Sequence, residues 1–167
     1  MTSTFTSTLC LTQSSAKKFG LCDEESDGMS TVREDDGHLW RATVLNNSLT
    51  SARYYAIDKC EDIIEYIPKD AKRCDGLLSF NEQAILIELK HRNDTTYFID
   101  GKKQIKSTLN FIKDADKALY DKIVAVYVCN DLRPRASLQR SNSLEEFHLE
   151  YGVILRDRAT IDLDQLI

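Results

Sequence analysis

Two short apolar runs lie close together near the middle of the chain, and charged residues interrupt them where a strand that only filled a core would stay apolar. Residues 73–80 and 84–91 predict an antiparallel pair joined by Asn81-Glu82-Gln83, with Leu77-Leu78 in the first run and Ala84-Ile85-Leu86-Ile87 in the second. The second run ends Glu88-Leu89-Lys90. In an extended chain Glu88 and Lys90 point to the same side of a sheet and Leu89 to the other. Asp75 stands at the start of the first run, where a hairpin would bring it alongside that end.

Further along, Ile105, Leu109, Ile112 and Leu119 make an apolar stripe at helical spacing, predicting a helix that follows Gly101 and runs to about Leu119. The β-branched run Ile123 to Cys129 fits a buried strand, parallel to the one ending in Lys90 because a helix separates them. Hairpin, helix and strand in that order predict an α/β fold with a mixed central sheet flanked by helices. Residues 131–142, with Pro134, read as a loop, and Tyr151 to Leu155 as a final strand. Pro68-Lys69-Asp70 reads as a turn.

The upstream pattern is less decisive. Ala56, Cys60, Ile63, Ile64 and Ile67 suit one face of a helix, whereas Tyr54-Tyr55-Ala56-Ile57 suits a strand. His38 to Leu45 enters the core as an ordered element, helix or strand, anchored by Trp40. Residues 1–37 read as a polar, partly flexible N-terminal segment, preceding a single domain over 38–167. Its Ser/Thr-rich start suggests a frayed leader, Lys17-Lys18-Phe19 a short helix, and the acidic clusters at 23–27 and 34–36 solvated surface.

The bulk properties narrow the possibilities. A chain of 167 residues with 42% hydrophobic content can build one domain around a real core. No apolar run approaches a membrane span, and Met1 to Phe5 lack the features of a secretory signal. Five scattered cysteines without a C-x-x-C pair, and three separated histidines, argue against a zinc site. They suggest reduced, mostly buried thiols in a cytoplasmic protein. The net charge of −5 excludes gripping nucleic acid by overall charge, so any such contact must come from a local patch, a partner subunit or a bound metal.

Two carboxylates and an ammonium converging at a strand end can hold a divalent metal beside a general base or charge stabiliser. Asp75, then Glu88-Leu89-Lys90, then a helix with Gln104 near its start resembles the PD-(D/E)XK nuclease superfamily, over residues 50–130 or so. The resemblance implies a restriction-endonuclease-like core, and with it a strand over 53–58. It implies magnesium or manganese held by Asp75, Glu88 and the carbonyl of Leu89, with Lys90 positioning water or stabilising charge and Gln104 touching the site or the phosphate. A further upstream acid is common in that family. Asp58, Glu61, Asp62 and Glu65 compete for the place, and Asp58 is favoured because it ends the expected first strand.

Arg92, Lys102, Lys103 and Lys106, with His91, form the most basic portion of the chain and could dock a phosphate backbone. Arg133, Arg135 and Arg140 could form a second such loop. The function implied is metal-dependent hydrolysis of phosphodiester bonds, in DNA, by a homodimer or with a partner protein. Two other classes compete. One is an inactive protein of the same fold acting as a subunit, immunity or regulatory partner. The other is a plain α/β interaction module in which Glu88 and Lys90 form a surface pair.

Overall fold

The computed structural model describes residues 3–23, 28–68, 70–132 and 138–166, with the side chains of 138–141 left aside. At its centre is the expected hairpin. Strand β6 (Gly76–Phe80) pairs antiparallel with β7 (Gln83–Lys90) from Phe80 opposite Gln83 to Gly76 opposite Ile87. The turn is the two residues Asn81 and Glu82, both at positive φ, the combination that matches the twist of a hairpin. Helix α2 (Tyr97–Ala115) and the short α3 (Lys117–Tyr120) then carry the chain to β8 (Ile123–Asn130), parallel to β7.

Strand β1 (Leu11–Ser14), β5 (Ala52–Ala56) and β9 (Ile154–Asp157) complete a six-stranded mixed sheet in the order β1-β5-β6-β7-β8-β9. A second sheet of four strands runs β10-β4-β2-β3, from β2 (Lys18–Cys22), β3 (Thr31–Arg33), β4 (Ala42–Leu45) and β10 (Thr160–Asp162). Two more helices are α1 (Glu61–Ile64) and α4 (Leu138–Tyr151). The fold is α/β, with mixed sheets flanked by helices.

Alternation along β7 divides the core in two. Ala84 and Leu86 join Leu77, Val126 and Val128 beneath Ile105, Leu109 and Ile112 of α2. Ile85, Ile87 and Leu89 join Leu78, Ala125 and Tyr127 against Phe19, Leu21 and Val44 of the second sheet. By the same parity Glu88 faces the helix and Leu89 the second sheet. The α2 backbone comes in close at Gly101: a Cβ there would stand 2.7 Å from Val128 Cγ1 and 3.3 Å from Glu88 Cγ.

Several expectations need correction. Helix α2 begins at Tyr97 rather than after Gly101, because Tyr97 and Phe98 are themselves buried and extend the apolar face by a turn. Gln104 is therefore near the middle of the helix, not in its first turn. Residues 138–142 are helical and not part of a loop, while Pro134 lies outside the described residues. The strand expected at 151–155 starts at Ile154, after α4 ends and Gly152 turns the chain at φ 70°.

Among the described residues of 3–37 there are three strands. Phe5 is 1% exposed, and Lys18-Phe19 belong to β2 rather than a helix, since Phe19 and Leu21 pack between the sheets. Residues 34–36 are exposed as expected. Cys10 and Cys60 form a disulfide, which corrects the expectation of uniformly reduced thiols and removes the argument for a reducing compartment that rested on it. Among the described residues no helix is long and apolar enough to cross a membrane.

Replacing Gly101 with Ala should overpack this contact at a cost of about 1–3 kcal/mol, offset by up to ~1 kcal/mol of better helix propensity. Urea denaturation should show a net loss of stability, and a more stable variant would mean that α2 does not press on Val128 and Glu88.

Candidate active site

The register of the hairpin sets Asp75, one residue before β6, against Glu88 near the end of β7. Two hydrogen bonds cross between the segments that carry them. The Asp75 N–H donates to Glu88 Oε2 at 3.2 Å, and the Leu89 N–H donates to Asp75 Oδ2 at 2.6 Å. Glu88 is 1% exposed, beneath α2. Lys90 Nζ lies 2.5 Å from Glu88 Oε1 and donates to Gln104 Oε1 at 2.6 Å. Gln104 Nε2 in turn donates to the Arg73 carbonyl at 3.0 Å. One turn further along α2, the Thr108 hydroxyl accepts from the Cys74 N–H at 2.9 Å. The helix is thus tied by side chains to the segment that carries Asp75.

Asp75, Glu88, Lys90 and Gln104 therefore meet in one place. Burial is the main force on both acids. It raises Asp75 to about 7, opposed by the Leu89 N–H and Lys90 and reinforced by the charges of Asp23 and Asp58. Burial also drives Glu88 well above the usual carboxylate range, with the Asp75 charge adding to it and Lys90 opposing. A hydrogen bond between the two carboxyl groups pushes Glu88 in the same direction. Asp75 keeps some surface exposure as a residue, but its carboxyl is enclosed by protein atoms, and that enclosure governs its titration. Two acids this close and this dry keep a proton between them or take a cation.

The donor set is hard oxygen: two carboxylates and the carbonyl of Leu89 at the same strand end. Magnesium commonly binds through one or two carboxylates and retains several waters, so these residues fit it or manganese. Among the described residues no group of three or more His, Cys, Asp or Glu side chains is arranged to hold a metal. An ion held by these residues would complete its shell with water. Asp58 is on the neighbouring rim, paired with Arg73 Nε at 3.3 Å.

An acid missed by the sequence reading is Asp23, which follows β2 and is half-buried. Burial raises its pKa, and Lys59, Arg41, Asp58 and Lys90 are the charges that act on it. Composition placed it in a solvated acidic cluster. Only the pairing of β2 with β4 would have shown that it reaches this end of the molecule, and Glu24 to Asp27 lie outside the described residues.

An open cleft of about 430 Å³ adjoins Lys90 and Gln104. The basic residues expected around it divide. Arg92 lines it, bonded to Asp94, Asp100 and Thr96, and the exposed Lys103 acts on Asp100. Lys102 instead bonds Ser143 and lies over Phe98, and Lys106 is 2.5 Å from Glu150 beside Phe147 and Tyr151. Those two belong to the contact with α4, away from the cleft. Lys72 and Arg73, passed over in the sequence, line it. His91 bonds Asp131, which also takes Arg41 at 3.2 Å. Arg133 and Arg135 lie outside the described residues, as does the side chain of Arg140.

Because Asp75 titrates higher folded than its ordinary value of 3.8, the folded state holds a proton that the unfolded chain has released between about pH 4 and 7. Metal-free stability should therefore fall as pH rises through that window and stay reduced above it. Asp75→Asn should flatten the slope and raise stability at pH 8 by up to about 4 kcal/mol, measured by thermal or urea unfolding in EDTA. An unchanged slope would mean the carboxyl is not enclosed as described.

No protein-family model, curated protein or solved structure matches this chain.

Proposed function

We propose that the chain is a divalent-metal-dependent nuclease that hydrolyses phosphodiester bonds in DNA, built on a restriction-endonuclease-like core. The observation that carries this reading is the enclosed Asp75–Glu88 carboxyl pair with the Lys90 amine held beside it. A surface pair of Glu and Lys would have neither the burial nor the partner from the neighbouring strand. The run β5-β6-β7 antiparallel, then α2, then a parallel β8 supports the core assignment.

In this reading Asp75, Glu88 and the Leu89 carbonyl hold magnesium or manganese. When bound, the ion lowers the pKa of its water and offsets charge on the phosphate. Lys90 contributes a compact positive charge at a fixed place, because Gln104 holds its amine from the other side. It orients the attacking water and steadies the phosphate as negative charge builds. Glu88 and Asp75 give up the proton they otherwise keep when a cation replaces it. A single small domain offers little surface for gripping a duplex, so the working unit is a homodimer or a complex with a partner protein.

A second reading has its own observation. Lys90 pairs directly with Glu88, which neutralises one of the two carboxylates internally, and the chain as a whole is acidic. An inactive protein of this fold, serving as a subunit, immunity or regulatory partner, would keep such a pair for stability.

Supercoiled plasmid, linear duplex and single-stranded RNA incubated with magnesium or manganese distinguish the two. Lys90→Ala should reduce cleavage by ~10²–10⁴-fold with circular dichroism unchanged, and Glu88→Gln should weaken metal binding seen by calorimetry. If the wild type neither cleaves any of these nor binds either metal, the inactive reading replaces the catalytic one.

A further inference from the structure

We infer that the cleft beside Lys90 is a phosphate-binding subsite anchored by Arg73, which takes a polynucleotide phosphate next to the one hydrolysed. The identity of the ligand rests on the nuclease reading; its charge does not.

The cleft is lined by Lys72, Arg73, Lys90 and Arg92 together with Asp58 and Asp100, and Glu88 and Asp94 pair with Lys90 and Arg92 from outside the lining. Four cations gathered on one cleft of an acidic chain favour an anion there. Lys72 is exposed at the edge.

The two arginines of the cleft differ in their partners. Arg92 has its Nε, Nη1 and Nη2 taken by Asp94, Asp100 and Thr96. It forms a wall of the cleft. Among the described residues the Arg73 guanidinium has one hydrogen bond, from Nε to Asp58 at 3.3 Å. Its Nη1 is buried with no hydrogen-bond partner among the described residues, and the side chain is only 13% exposed. A guanidinium carries five donors in a planar fork that matches phosphate oxygens. A buried donor lacking an acceptor is costly, and a turn of the guanidinium toward the cleft that Arg73 lines would offer that donor to an entering oxyanion.

Arg73 precedes Asp75 by two residues, its carbonyl holds Gln104, and Gln104 holds the Lys90 amine. An anion on Arg73 therefore shares a cleft with the amine that faces the reacting phosphate. Arg73 acts here by binding, and none of the proposed chemistry passes through it.

Thermal unfolding in EDTA with rising inorganic phosphate tests the subsite without metal or nucleic acid. The wild type should gain melting temperature, Arg73→Gln should not, and Asp58→Asn should respond at lower phosphate because it frees the guanidinium. If Arg73→Gln responds like the wild type, or if Asp58→Asn loses the response as Arg73→Gln does, the inference is overturned. The latter result would make the pair a structural tie.

Binding of a fluorescent DNA duplex, with calcium in place of magnesium, gives the second arm. Arg73→Gln should bind about tenfold more weakly at low salt, with the slope of log Kd against log salt reduced by about one. A loss confined to 5′-phosphorylated ends assigns a terminal phosphate, and an equal loss on closed circular DNA an internal one. No loss on either overturns the inference. A phosphate response with no cleavage of nucleic acid would remove the nuclease reading and leave the subsite standing.

Discussion

Two carboxyl groups enclosed at one strand end cannot both carry charge unless a cation stands beside them, and this constraint organises the centre of the molecule. The Lys90 amine meets part of it from the same strand. Gln104 fixes that amine from α2 and ties the helix back to the Arg73 carbonyl. Gly101 lets the helix approach closely enough to cover Glu88. Packing of the helix and polarity of the site are thus one arrangement: the contact that excludes water from Glu88 also raises its proton affinity. A fold indifferent to this site would place Leu or Val at 88, as the pattern of Ala84 and Leu86 suggests.

The part of this arrangement that the sequence makes legible is the part built from local contacts. A hairpin with alternating faces, a helix with a regular stripe and a β-branched strand each declare themselves within a dozen residues, and so Asp75, Glu88 and Lys90 were found together. The N-terminal strands did not declare themselves. β3 is three half-buried residues, and β2 owes its burial to partners more than twenty residues away in β4. Asp23 was hidden for that reason. The misplacement of Lys102 and Lys106 had a visible remedy, since they stand four apart on one helix face while Gln104 points elsewhere. Whether that face met a cleft or a second helix depended on α4, whose polar sequence gives little sign of packing.

The disulfide belongs to the same class of non-local facts. With five cysteines, no spacing rule selects the pair Cys10–Cys60. The bond joins the start of β1 to the segment following β5, where the Ile57 N–H donates to the Asp75 carbonyl at 2.8 Å. The N-terminal residues are therefore fastened to the same stretch that carries Asp58. Their polar composition describes what they show to water, not how firmly they are held.

The two-residue bend at Asn81 and Glu82 has a reach out of proportion to its size. Side chains in a β-ribbon alternate, so sliding one arm past the other by a single step would turn Glu88 into the greasy layer between the sheets and bring Leu89 out under the helix. The tip of the ribbon is exposed and polar, the kind of spot usually regarded as permissive. Here it works as an alignment pin for chemistry at the opposite end, and one added residue there would scramble the centre without touching it.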